Sequence, residues 1–138
     1  MQSYNLERFI IAQEQNYQAA LQEIKNGKKQ SHWMWYIFPQ LKGLGFSSTA
    51  VYYAIQNEKE AKAYLDHVIL GQRLKEACAA LLNLRTCDAN EIFGFPDNLK
   101  LRSSMTLFYL VSHDEIFQKV IEKFFNGEFD PLTISLLK

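Results

Sequence analysis

The chain has 138 residues, of which 48% are hydrophobic and 22% charged, and its 15 basic and 15 acidic side chains give a formal net charge of zero. That length supports one domain with its own hydrophobic core, and the composition excludes a disordered chain. Zero net charge argues against a nucleic-acid-binding protein, because such proteins use basic side chains to neutralise phosphates.

The first predicted helix runs from Asn5, its expected cap, through about Asn26, and Gly27 is the residue expected to end it. Residues 28–47 break this helical spacing with a dense aromatic run that is closed by Pro39. We therefore expect a short helical or extended piece there, followed by a loop bent at glycines.

Two further helix starts are predicted from capping residues, whose side chains accept hydrogen bonds from free backbone N–H groups. Ser47 or Ser48 can cap a short helix, and Asn57 begins a capping box for a helix that reaches about His67. We place His67 in the last turn of that helix, where positive charge is favoured. An apolar stripe over residues 70–82 predicts the next helix.

Aspartates mark the starts of the remaining predicted helices, and each can cap the helix that follows it. These residues are Asp88, Asp97, Asp114 and Asp130. No segment shows the sustained alternation that is typical of strands. We therefore predict a single all-α domain over residues 1–138, with about seven to eight helices.

Cysteine content and targeting patterns bear on location and cofactors. Cys78 and Cys87 form neither a metal-binding spacing nor a disulfide framework. The first residues do not form a signal peptide, and no apolar run is long enough to span a membrane. We expect a cytoplasmic protein with no metal, no cofactor and no membrane or nucleic-acid partner. No pattern indicates its oligomeric state.

The aromatic run at residues 31–40 holds side chains that a helical core does not require. Its Trp and Tyr rings offer flat faces with N–H or O–H groups, which line small-molecule pockets or stack on a base. The residues that we assign here to a ligand site are Trp33, Trp35, Tyr36 and Gln40. His32 is the candidate acid or base. The alternative is that the rings are core and His32 is structural.

A second candidate segment begins at Asp97, where the predicted helix start presents free backbone N–H groups. Nearby cations and hydroxyls suit a phosphate or carboxylate there. The residues assigned to this site are Lys100, Arg102, Ser103 and Ser104. Lys100 and Arg102 lie about 200° apart on the helix, so Lys100 shares its face better with either serine. The alternatives are an ordinary cap at Asp97 and a salt bridge at Arg102.

No established catalytic or nucleotide-binding motif is present. We predict that the domain binds a small anionic or nucleotide-like molecule near residues 31–45 and 97–106, and we leave catalysis open. The alternative is a non-catalytic protein-interaction adaptor, which predicts an exposed apolar patch rather than a concave pocket.

The same two segments carry a resemblance to a known family. Residues 31–40 and 100–108 read SHWMWYIFPQ and KLRSSMTLF. They resemble the signature of a bacterial family of small domains of unknown function, some of whose members bear the label calpastatin, which we do not carry over. The resemblance extends from about Leu6 to Leu137 and implies a single all-helical cytoplasmic domain, but no activity and no catalytic residue. Val68 stands where we expect proline in that family.

The general character of the chain, rather than any motif, also resembles small helical proteins that hydrolyse N-glycosidic bonds.

Overall fold

The computed structural model describes residues 4–137, and within them it contains nine α-helices and no strand. The predicted all-α class is confirmed, with slightly more helices than expected because several are only one or two turns long. Their bounds are Glu7–Lys25 (α1), Met34–Ile37 (α2), Ser48–Tyr53 (α3), Glu58–Asp66 (α4), Val68–Leu82 (α5), Ala89–Phe93 (α6), Asp97–Ser112 (α7), Glu115–Phe125 (α8) and Pro131–Leu137 (α9).

Helix α7 lies at the centre of the packing and contacts α4, α6, α8 and α9. Helix α5 packs in turn against α1, α4 and α8. Residues 103–108 of α7 are all buried, which is the pattern of a helix that is surrounded by others. The first turns of α7 reach the surface, so this end of the helix is available to a site.

Most of the predicted helix caps are confirmed. The Oγ of Ser47 accepts a hydrogen bond from the Ala50 N–H at 3.1 Å. Asn57, Asp88 and Asp114 each accept from a backbone N–H in the first turn of the helix that follows. Capping depends on residues a few positions apart, so the local sequence suffices to predict it.

Two predicted caps are wrong. Helix α1 is preceded by Leu6, which caps it without a side-chain hydrogen bond, so Asn5 is not the cap. Asp97 is the first residue of α7 and not its cap, because Pro96 takes the cap position. The Asp97 carboxylate instead pairs with the Lys29 ammonium at 3.0 Å. A charged partner brought close by the fold has therefore replaced the predicted local role.

His67 also differs from the prediction. It follows α4 in extended conformation and begins α5, rather than lying in the last turn of α4. Its Nδ1 accepts hydrogen bonds from the N–H groups of Ile69 and Leu70, at 3.1 and 3.3 Å. An imidazole nitrogen accepts through its lone pair, so His67 caps the start of α5 with its side chain.

A buried ion pair holds α3 against the helices. The guanidinium of Arg8 on α1 donates to the carbonyl oxygens of Tyr52 and Ala54, at 2.8 and 2.9 Å. It also pairs with the Glu60 carboxylate of α4 at 2.9 Å. Because Tyr52 and Ala54 lie at the end of α3, these bonds fix the position of the preceding loop.

The loop before α3 is closed at its base by a short bridge between Leu41 and Ile55. The Ile55 N–H donates to the Gln40 carbonyl and the Lys42 N–H donates to the Ile55 carbonyl, both at 2.8 Å. Residues 42–54 therefore form a closed excursion from the helical core. That excursion carries one wall of the pocket described below.

Across residues 4–137, none of the helices combines the length and the apolar character that a membrane span requires. The same residues hold no group of three or more His, Cys, Asp or Glu side chains arranged to bind a metal ion.

Candidate functional site

A pocket of about 520 Å³ lies between the loop before α3, the first turns of α7 and the start of α9. That volume falls in the range of small-molecule sites. We call it the α7 pocket, and its lining residues are Gln40, Leu44, Gly45, Phe46, Ser47, Ala50, Pro96, Leu99, Lys100, Arg102, Ser103, Asp130 and Leu132. Residues from both segments singled out in the sequence therefore meet in one concavity.

Lys100 and Arg102 both line this pocket, although their spacing predicts nearly opposite directions on α7. At about 100° per residue, they are about 160° apart by the shorter way round the helix. Leu99 and Ser103 fall within that arc and also line the pocket. The two cations therefore flank the lined face of α7 from its two edges, and their long side chains reach round to it.

The Lys100 ammonium has two neighbours. Its Nζ lies 3.3 Å from Asp97 Oδ1 and 5.7 Å from the centre of the Trp35 ring. Asp97 also pairs with Lys29, whose side chain is nearly buried. One carboxylate thus serves two ammonium groups, so this cluster carries an excess of positive charge beside the pocket.

Arg102 has a weaker set of partners. Its Nη2 lies 3.9 Å from Asp130 Oδ1, beyond hydrogen-bond distance. Its Nε is buried and makes no hydrogen bond within residues 4–137. A buried guanidinium N–H without an acceptor is unfavourable, so Arg102 retains donor capacity that a ligand could use.

Asp130 lines the pocket beside Ser103 and is already engaged. Its Oδ2 accepts from the Ser103 hydroxyl at 2.7 Å and from the Thr133 hydroxyl at 2.6 Å. Burial alone would raise the pKa of Asp130, but the hydrogen bonds from Thr133 and Ser103 outweigh burial and hold the pKa below its usual range. A carboxylate with a lowered pKa is a weak base, so this pair lacks the character of an activated nucleophile.

Five of the residues assigned from sequence do not line the α7 pocket. They are His32, Trp33, Trp35, Tyr36 and Ser104. His32 is exposed and Trp35 is partly buried, whereas Trp33, Tyr36 and Ser104 are buried in the core. The Tyr36 hydroxyl donates to the His32 carbonyl at 3.2 Å, and the Ser104 hydroxyl has no partner within residues 4–137.

Gln40 and Trp35, which were also assigned to the ligand site, lie at or near the α7 pocket. Gln40 lines the α7 pocket directly. Trp35 is partly buried and lines a much smaller recess of about 10 Å³, which shares Gln40, Gly45 and Ala50 with the α7 pocket. The Trp35 ring does not line the α7 pocket itself. It lies next to the ammonium of Lys100, which does line the pocket.

Glu23, which sequence reasoning missed, holds the aromatic run in place. Its carboxylate accepts from the backbone N–H groups of Gln30 and Ser31 at 2.7 and 3.0 Å. It also accepts from the Ser31 hydroxyl at 2.6 Å and from Trp33 Nε1 at 2.8 Å. Burial opposes ionisation, but these four hydrogen bonds prevail and lower the pKa of Glu23 to about 2. No local pattern links Glu23 to these donors.

Sequence reasoning also missed the apolar residues of the pocket, Phe46, Leu99 and Leu132. The Phe46 side chain is 85% exposed, in a loop between Gly45 and Ser47. A large ring in an otherwise small and polar loop is a usable signal, because it has no obvious place in a core.

Comparisons with known proteins agree with this architecture. A family model described as "Protein of unknown function (DUF1810)" matches residues 3–137. The crystal structure of the conserved hypothetical protein Rv1873 from Mycobacterium tuberculosis is similar over 97% of this chain and 96% of that chain, with 43% identity and a TM-score of 0.95. No curated protein matches the chain.

Proposed function

Because the chain belongs to the DUF1810 family of proteins of unknown function, we propose a function from the geometry of its pocket. The domain binds a small molecule with a phosphate or carboxylate group in the α7 pocket, and nucleotide-like molecules fall within this class. The observation that carries the proposal is that Lys100 and Arg102 flank one concavity of about 520 Å³.

The charges around the pocket support an anionic ligand. Lys100 shares Asp97 with Lys29, so its ammonium can turn to a ligand while Asp97 keeps a partner. The Nε of Arg102 has no acceptor within the described part of the chain. Guanidinium and ammonium groups bind phosphates and carboxylates through charge-assisted hydrogen bonds, which are stronger than neutral ones.

The pocket supports binding better than it supports a particular reaction. His32, the candidate acid or base, is not among the residues that line it. Asp130 has a lowered pKa and its acceptor oxygens are engaged. We therefore propose binding and assign no catalytic residue.

The adaptor alternative predicts an exposed apolar patch. Here the exposed Phe46, Leu99 and Leu132 side chains line a concavity together with cations. That arrangement favours a small ligand over a broad protein interface, because specific protein interfaces bury about 800 Å² on each partner.

A titration followed by nuclear magnetic resonance tests the proposal. Inorganic phosphate, acetate and AMP are added at constant ionic strength while backbone amide signals are recorded. We expect shifts in residues 97–103, with affinity reduced about tenfold or more in Lys100→Ala, from the loss of one charge-assisted bond. Lys119→Ala, which removes an exposed lysine of α8, is the matched control. Absence of shifts at the pocket, or equal losses in both variants, would contradict the proposal.

A further inference from the structure

Three large apolar side chains of the α7 pocket are exposed to solvent. Phe46 is 85% exposed, Leu132 is 53% exposed and Leu99 is 41% exposed. A single exposed apolar side chain is ordinary on a protein surface. Three that line one concavity, on three different segments of the chain, form a surface that gains from being covered.

These apolar side chains adjoin the cations directly. On α7, Leu99 lies on the lined face between Lys100 and Arg102. Phe46 comes from the loop before α3 and Leu132 from the first turn of α9. A ligand whose charged group contacts Lys100 and Arg102 would therefore place its remaining atoms against apolar surface.

The α7 pocket offers fewer aromatic rings for stacking than the sequence predicts. Trp33 and Tyr36 are buried in the core and do not line the pocket. The Lys100 ammonium lies 5.7 Å from the centre of the Trp35 ring. Among the described residues, Phe46 is the aromatic residue that lines the pocket, and the other apolar lining residues are aliphatic. These walls suit an alkyl or acyl chain better than a nucleoside.

We propose that the ligand of the α7 pocket is an amphiphilic organic anion. Its phosphate or carboxylate headgroup contacts Lys100 and Arg102, and its short apolar chain covers Phe46, Leu99 and Leu132. This inference rests on the proposed function and adds the chemical class of the ligand's uncharged part.

The test is a homologous series of ligands measured by isothermal titration calorimetry below their critical micelle concentrations. The series is inorganic phosphate, methyl, butyl and hexyl phosphate, with AMP as the nucleotide and hexanol as the neutral chain. Each methylene that the pocket covers should strengthen binding about threefold to fourfold, from the transfer of apolar surface out of water. Hexyl phosphate should bind more tightly than AMP, and hexanol should bind weakly.

Matched variants locate the effect. Phe46→Ser should flatten the dependence of affinity on chain length. Val68→Ser is its control, since Val68 is 77% exposed and is not among the residues that line the α7 pocket. Lys100→Ala should weaken every phosphate in the series.

The outcomes separate the two proposals. If anions bind through Lys100 with no dependence of affinity on chain length, or if AMP binds more tightly than hexyl phosphate, the proposal of an amphiphilic ligand is overturned. The proposal of an anion site then still stands. A chain-length dependence that survives Phe46→Ser unchanged also overturns it, because the chain then lies elsewhere. If no phosphate binds through Lys100, the anion site and the amphiphile both fail.

Discussion

Arg8 and Glu60 are 52 positions apart in the chain, yet their Nη1 and Oε2 atoms lie 2.9 Å apart. Both side chains are almost completely buried, with exposed fractions of 4% and 1%. The Arg8 guanidinium also donates to the Tyr52 and Ala54 carbonyls at the end of α3. The pair therefore links the helical core to the loop that forms one wall of the α7 pocket.

The first prediction concerns this pair. Arg8→Ala should lower the free energy of unfolding by about 3–5 kcal/mol, because it leaves the Glu60 carboxylate buried without its partner. Urea unfolding monitored by circular dichroism measures the change. The control is Lys62→Ala, which removes an exposed pair with Glu58 and should cost less than about 0.5 kcal/mol. Similar losses in the two variants would contradict a special role for the buried pair.

The second prediction concerns pH. The pKa of Glu23 is lowered from 4.5 to about 2, so its ionised form stabilises the folded state. That stabilisation is complete above pH 4.5 and is lost as the pH falls towards 2. At neutral pH, Glu23→Gln should cost about 1–2 kcal/mol, a figure reduced for the partial exposure of Glu23.

Unfolding of wild type and Glu23→Gln by urea between pH 2 and pH 6 checks this expectation. The two proteins should converge at the acid end, since a protonated glutamate resembles glutamine. Glu58→Gln, which alters an exposed glutamate of α4, serves as the comparison. A difference between wild type and Glu23→Gln that stays constant over this range would rule out the ionised carboxylate as its source.

The third prediction concerns the contact between α4 and α5. A Cβ added to Gly71 would lie 2.1 Å from the Leu65 carbonyl oxygen, a distance that only backbone movement can relieve. Gly71→Ala should therefore destabilise the protein by about 2–4 kcal/mol, despite the higher helix propensity of alanine. Thermal unfolding provides the measurement.

Gly94→Ala is the comparison for this change. Gly94 has φ 74° and ψ 171°, a backbone conformation that is essentially restricted to glycine, but no atom lies within 4 Å of an added Cβ. It should therefore cost about 1–3 kcal/mol from backbone strain alone, without a steric clash. A loss below about 1 kcal/mol in Gly71→Ala would show that α4 and α5 are not held as closely as described.

The fourth prediction concerns Val68, which is the first residue of α5 and is 77% exposed. Proline is well suited to the first position of a helix, and the extended backbone of His67 is compatible with a following proline. Val68→Pro should stabilise the protein by about 0.4–1 kcal/mol, through a less flexible unfolded chain.

Differential scanning calorimetry should show a higher midpoint temperature for Val68→Pro. Ile69→Pro provides the contrast, because the Ile69 N–H donates to His67 Nδ1 and proline removes that donor. It should lower the midpoint instead, and a rise in both variants would refute the assignment of Val68 to the first helical position.

The sequence predicted the helical architecture well because its signals are local. Ser47, Asn57 and Asp114 cap helices through bonds that span two or three positions, and each was identifiable from its neighbours. The predicted caps at Asn5 and Asp97 failed because Leu6 and Pro96 occupy those cap positions. Asp97 pairs instead with Lys29, which lies far from it in sequence.

The pocket was predicted less completely for the same reason. Lys100 and Gln40 do line one concavity, as the two separated segments suggested. Whether an aromatic ring is core or pocket wall depends on distant contacts, and Trp33 is buried against Phe38 and Phe93 with its N–H donated to Glu23. Phe46 faces solvent instead, and spacing along the chain does not distinguish these two environments.

The bridge between Leu41 and Ile55 has a consequence for how such a domain can diversify. Because the bridge closes the loop at its base, changes within residues 42–49 need not propagate into the packing of α5, α7 and α8. Loop length is also inexpensive, since the entropy of closure grows only slowly with added residues. One wall of the pocket can therefore vary while the same helical scaffold is retained.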